Sequence, residues 1–112
     1  MLRVMLVEDS AAFRDALSQL AVAAGLEVVG VAATGDEAIE LFDALSPDAL
    51  VVDVRLPGMS GHDVAARVLA AAPQTRVVLI SATEVFGDAN VLPKSSLTPE
   101  VLRAALEPET TA

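Results

Sequence analysis

The sequence has no cysteine, no tryptophan and no tyrosine, and its aromatic residues are three phenylalanines. Without cysteine the chain must fold without disulfides, and nothing points to an oxidising compartment. Histidine occurs once and lysine once. With no thiolate and no histidine cluster, a zinc site is disfavoured. Long hydrophobic runs are also missing, and the longest fall far short of the ~20 residues a membrane span needs. The opening Met1-Leu2-Arg3-Val4 has no signal-peptide pattern and runs straight into a strand. The chain is therefore expected to be cytoplasmic, with no membrane partner. Positive charge is scarce: 7 Lys and Arg stand against 16 Asp and Glu, a net charge of −9. Such a surface repels phosphate backbones, which argues against direct nucleic-acid binding. It suits a cation or a basic partner instead.

What is present, within 112 residues that are 54% hydrophobic, is one domain's worth of alternating strand and helix signals. Residues 3–8 are an apolar run ending in Glu8-Asp9. Ser10 caps a helix carrying Phe13, Leu17, Leu20 and Ala24, and Gly25 stops it. Residues 27–33 read as a second strand. Thr34 and Glu37 have capping-box spacing, ahead of a stripe of Ala38, Leu41, Phe42 and Leu45. Pro47 ends that helix. The run 48–53 climbs to Asp53, and Pro57-Gly58 then turns the chain. Ser60 starts a third helix with Val64, Val68 and Ala71 on one face. Residues 76–81 form a fourth strand, and Val91-Leu92 a very short fifth. Thr98-Pro99 opens a last helix buried through Val101, Leu102, Ala105 and Leu106. The domain is expected over 1–107, with 108–112 a disordered polar tail.

Alternating strands and helices call for an α/β fold with helices on both faces of a parallel sheet. Right-handed crossovers favour the flavodoxin-like five-stranded order 2-1-3-4-5. Its switch point lies between strands 1 and 3, and ligands bind outside the carboxyl ends there. Glu8, Asp9 and Asp53 occupy those ends. Three close carboxylates repel, so at least one pKa should rise unless a cation is bound. An all-oxygen donor set with room for water suits Mg²⁺. Ser81 ends the fourth strand and Lys94 follows the fifth. A hydroxyl, an ammonium and a divalent cation around a carboxylate make a site for a phosphoryl group. Asp53 is the expected nucleophile.

This constellation resembles the receiver domain of bacterial two-component response regulators. The likeness rests on Glu8-Asp9, on Asp53-Val54-Arg55-Leu56-Pro57-Gly58-Met59-Ser60-Gly61, on Ser81-Ala82 and on Lys94. It covers residues 3 to about 107. The segment Lys94-Ser95-Ser96-Leu97-Thr98-Pro99-Glu100 looks most like receivers joined to helix-turn-helix domains. The resemblance implies a stand-alone receiver whose Asp53 accepts a phosphoryl group from a sensor histidine kinase or a phosphotransfer protein. It implies Mg²⁺ held by Asp9 and Asp53, with Glu8 assisting and the Arg55 backbone carbonyl as a further ligand. Ser81 and Lys94 would hold phosphoryl oxygens, and Arg55 and Thr83 would tune the lifetime of the acyl phosphate. Phe13 and Leu17 on the first helix would belong to the kinase-docking face. Such a protein catalyses its own phosphorylation and dephosphorylation and turns over no separate substrate.

The chain departs from that pattern in one place. Lys94 follows Ser81 by 13 positions, where receivers usually have roughly twenty or more around a crossover helix. The helix between the fourth and fifth strands is therefore expected to be missing or reduced, with residues 83–89 all that remains of it. An uncovered apolar face there would favour a homodimer. Val91 also stands where receivers usually carry an aromatic switch residue. The alternative reading is a degenerate receiver that acts as a phosphorylation-independent interaction module. A haloacid-dehalogenase-like phosphatase would need a second Asp where Arg55 stands. Nucleotide-binding and flavodoxin readings lack their phosphate loops.

Overall fold

The computed structural model describes residues 1–82 and 91–107. Among them five strands and four helices follow in order: β1 Arg3–Val7, α1 Ala11–Ala23, β2 Glu27–Ala32, α2 Gly35–Leu45, β3 Ala49–Asp53, α3 Gly61–Ala71, β4 Arg76–Ser81, β5 Val91–Pro93 and α4 Pro99–Leu106. A 3-10 turn, Lys94–Ser96, follows β5 directly. All strand pairs are parallel, in the order β2-β1-β3-β4-β5. This is the sheet that the alternation of elements predicts.

The helix starts follow from side-chain chemistry. Ser10, Thr34, Ser60 and Thr98 each accept a hydrogen bond from the backbone N–H three residues on. Each satisfies a donor that the first helical turn leaves unpaired. Glu37 also reaches back, but it accepts from the Ala33 N–H at 3.1 Å, one residue earlier than a capping box requires.

β3 is buried along its whole length, as the middle strand of a sheet covered on both faces must be. Val51 and Ile80 pack with Leu17, Ala21, Leu102 and Leu106 from α1 and α4. Leu50 and Val52 point the other way, onto Ala38, Phe42, Val64 and Val68 from α2 and α3. Each fully buried leucine stabilises the fold by about 1.5–3 kcal/mol relative to exposure. Two stripe positions fall outside the core. Val101 is exposed because it lies one residue, about 100°, away from the Leu102–Leu106 line. Ala71 is exposed because Ala65 and Ala72 complete the inner arc of α3 in its place.

β5 pairs only with the last three residues of β4: Leu79 with Val91, Ile80 with Leu92 and Ser81 with Pro93. Its start therefore lies only two residues back along β4, about 7 Å at strand rise. The expectation of a missing or reduced helix concerns residues 83–89. These lie outside the described residues, as does the tail 108–112.

At the other end of the site-bearing edge, α3 abuts β3. The Gly61 N–H donates to the Val54 carbonyl at 3.0 Å. A Cβ at position 61 would overlap the Asp53 carbonyl oxygen and come within 2.8 Å of the Val54 Cα. Backbone cannot yield there as a flexible side chain could. Gly61→Ala is expected to lower stability by about 1–3 kcal/mol through overpacking. Urea denaturation checks this, and an unchanged midpoint would refute the tight approach.

Candidate functional site

β1 and β3 are neighbours in register, with Val7 opposite Val52. Their carboxyl ends therefore deliver Glu8, Asp9 and Asp53 side by side. One carboxylate oxygen from each lies within 4.8 Å of the others. β4 brings Ser81 to the same edge, and the turn after β5 brings Lys94. Glu8, Asp9, Asp53, Arg55, Ser81 and Lys94 all line one cavity of about 210 Å³. The expected ligand and phosphoryl-site residues are thus at one place. Lys94 is delivered although β5 is only three residues long.

Both oxygens of Asp53 are engaged. The Arg55 backbone N–H donates to Oδ1 at 2.9 Å, and the Lys94 ammonium sits 2.8 Å from Oδ2. Asp53 is nearly buried, whereas Asp9 is exposed. Glu8 is fully buried. Its Oε1 accepts from the Ser10 N–H at 3.1 Å. Its Oε2 lies 2.9 Å from Lys94 Nζ, an ion pair without an aligned hydrogen bond. One ammonium thus bridges two strand ends.

Burial pushes the Glu8 carboxyl above its usual 4.5, and the neighbouring Asp53 carboxylate adds to the rise. Lys94 and the Ser10 N–H pull the other way without cancelling it. Burial alone would lower Lys94, but its contacts with Asp53 and then Glu8 outweigh that and hold it above 10.5. Three carboxylates and one ammonium leave the ionised cluster with a charge of −2. That charge and the all-oxygen donor set fit a hard divalent cation such as Mg²⁺.

Three residues at the site carry roles that periodicity does not reveal. Ser10 caps α1 and also gives its N–H to Glu8. Arg14 reaches back from α1 to donate to the Glu8 carbonyl at 2.8 Å. The Phe13 ring lies under the Lys94 ammonium, with Nζ 4.2 Å from the ring centroid. Only the pattern "Ser10 before a helix" was visible in the sequence. Arg14 gave no signal, and Phe13 read as a helix-face apolar residue. Leu17 is buried in the core, which removes it from any docking face. Thr83 lies outside the described residues.

Residues 4–94 match the family model described as response regulator receiver domain. The chain is 37% identical to the probable transcriptional regulatory protein NarL of Mycobacterium tuberculosis, over 94% of this chain and 53% of that protein. It is 35% identical to the chemotaxis protein CheY of Thermotoga maritima, over 71% of this chain and 67% of that one. It is 46% identical to a protein-glutamate methylesterase/protein-glutamine glutaminase of Myxococcus xanthus, over 71% of this chain but 23% of that protein. The chain thus spans about a quarter to two thirds of these relatives. The solved receiver domain of the M. tuberculosis NarL superposes with a TM-score of 0.82 at 36% identity, covering 94% of this chain and 93% of that one. The NarL alignment runs over 115 positions, whereas 94% of 112 residues is about 105, so about ten positions of that relative have no counterpart here.

The cluster's charges set a pH dependence. For Glu8 the folded state holds its proton above 4.5, so stability falls as pH rises from 4.5 through the folded value. The stability contributed by Lys94 is fully present below 10.5 and is lost as pH rises through the higher folded value. A carbon-detected NMR titration of metal-free protein is expected to place the Glu8 carboxyl above 4.5, and Lys94→Ala to raise it further. A Glu8 midpoint at or below 4.5 would contradict this electrostatic picture.

Proposed function

The chain belongs to the response regulator receiver domain family, and from that premise we propose that it is a phosphoacceptor switch. Asp53 takes a phosphoryl group from a phosphohistidine on a sensor histidine kinase or a phosphotransfer protein. The observation that carries this reading is the Asp53 carboxylate held against the single lysine ammonium inside an all-carboxylate cluster.

The transfer balances simply. An Asp53 carboxylate oxygen attacks phosphorus, an O–P bond forms, and the P–N bond of the donor breaks with imidazole leaving. The Arg55 N–H fixes the carboxylate through Oδ1. Lys94, already on Oδ2, turns its N–H groups to a phosphoryl oxygen, and the Ser81 hydroxyl binds another. Asp9 and Asp53, with Glu8 assisting and the Arg55 carbonyl completing the set, would hold Mg²⁺. The bound ion supplies charge neutralisation for the phosphoryl oxygens. Water later cleaves the acyl phosphate, so the protein catalyses only its own phosphorylation and dephosphorylation. Its partners act in the cytoplasm, in keeping with a chain in which no described helix is long and apolar enough to cross a membrane.

Incubation with acetyl phosphate and Mg²⁺ is expected to add one phosphoryl group by intact mass, and Asp53→Ala to add none. Lys94→Ala is expected to slow the reaction about 10²-fold, as removing one charge-stabilising donor does. No adduct, either from acetyl phosphate or from a histidine-phosphorylated donor, would favour the phosphorylation-independent interaction module.

A homodimer is the second part of the proposal. A groove of about 460 Å³ is lined by Ala65, Leu69, Val77, Leu79, Leu92 and Ala105 at the β4–β5 edge. Its apolar lining suits a second copy. Sedimentation is expected to give a concentration-dependent monomer–dimer equilibrium, and a monomer at all concentrations would exclude it.

A further inference from the structure

We propose that Phe13 is a positioning residue for Lys94, its ring face supplying the third wall of the ammonium's pocket. This rests on the phosphoacceptor reading of the site and assigns a role to a residue that the reading leaves unused. Lys94 Nζ lies 2.8 Å from Asp53 Oδ2, 2.9 Å from Glu8 Oε2 and 4.2 Å from the Phe13 ring centroid. An ammonium has three N–H groups. Two sides of this one face carboxylates, and a third meets a ring whose face carries negative potential. The Lys94 side chain is only 16% exposed, so the contact is poorly screened by water.

The ring is held in place by the site itself. Glu8 Oε1 accepts from the Ser10 N–H, and Ser10 Oγ accepts from the Phe13 N–H at 3.3 Å. The adjacent Arg14 guanidinium is bonded to the Glu8 carbonyl. Glu8, Ser10, Phe13 and Lys94 therefore form a closed circuit joining the first turn of α1 to the phosphoryl site. When a phosphoryl group reaches Asp53, the ammonium must give up carboxylate contacts and take up a phosphoryl oxygen. A ring beneath it restrains that movement to a swing within the pocket. A flexible four-carbon side chain without the ring would spread over more orientations.

The test compares Phe13→Leu, Phe13→Tyr and a variant carrying trifluorophenylalanine at position 13, which keeps the shape but weakens the ring's quadrupole. Phosphorylation by acetyl phosphate with Mg²⁺ is timed by intact mass. Phe13→Leu is expected to be roughly five- to tenfold slower, the fluorinated ring intermediate, and Phe13→Tyr within about twofold of the parent, as a cation–π contact predicts. The second readout is the Lys94 ε-methylene proton signal, unambiguous in a chain with one lysine. It is expected to be shifted upfield by the ring and to lose that shift in Phe13→Leu. A parent protein that takes no phosphoryl group would sink the phosphoacceptor reading. A parent that does, with Phe13→Leu reacting at the same rate, would overturn the role of Phe13 alone. A lysine signal unmoved by Phe13→Leu would overturn the contact whatever the chemistry.

Discussion

The site depends on one ammonium placed between two carboxylates. Glu8 and Asp53 sit at the ends of adjacent parallel strands, and bare juxtaposition would set like charges against each other. Lys94 lies within 3 Å of both. The contact is more than a local ion pair, because its partners come from β1, β3 and the turn after β5. It ties the sheet's middle to its far edge. It also keeps a buried glutamate from standing alone, a state that would cost the fold heavily.

That arrangement is a consequence of parallel strands. Parallel β1, β3, β4 and β5 all point their carboxyl ends the same way, so whatever follows each strand converges. The helices then complete the edge. α1 begins two residues after Asp9 and brings a cap, an arginine and a ring against the acidic loop. α3 begins with a glycine pressed against the peptide that carries Asp53. The carboxylates are held from both sides by helix starts, which leaves this edge little freedom although Glu8 and Asp9 lie outside regular structure.

Much of this was legible in the sequence, and for physical reasons. A fully buried parallel strand such as β3 reads as an unbroken apolar run. Caps such as Ser60 and Thr98 read as hydroxyls ahead of helical periodicity. Once the strand order was set, the coincidence of Glu8, Asp9, Asp53, Ser81 and Lys94 at one edge followed from topology. What periodicity could not settle was the margin of each helix face. It placed Val101 and Ala71 inward, and the packing leaves both exposed; the family resemblance put Leu17 on a docking face, and the packing buries it as the periodicity had it. Arg14 was invisible because its partner is a backbone carbonyl six residues away, and a carbonyl leaves no mark on a sequence. Phe13 was seen only as part of the apolar stripe, where it does pack: its second neighbour Lys94 is 81 positions distant, and only the folded chain brings them together.

The solitary lysine has a chemical corollary. A side-chain amine reacts with acyl donors only as the free base and only when a reagent can reach it. Here the one ε-amine is the group that guards Asp53, held above its usual pKa and mostly enclosed. Lysine acylation of this chain can therefore strike nowhere but the centre of the site, and the same two carboxylates that need the charge shield it from being neutralised.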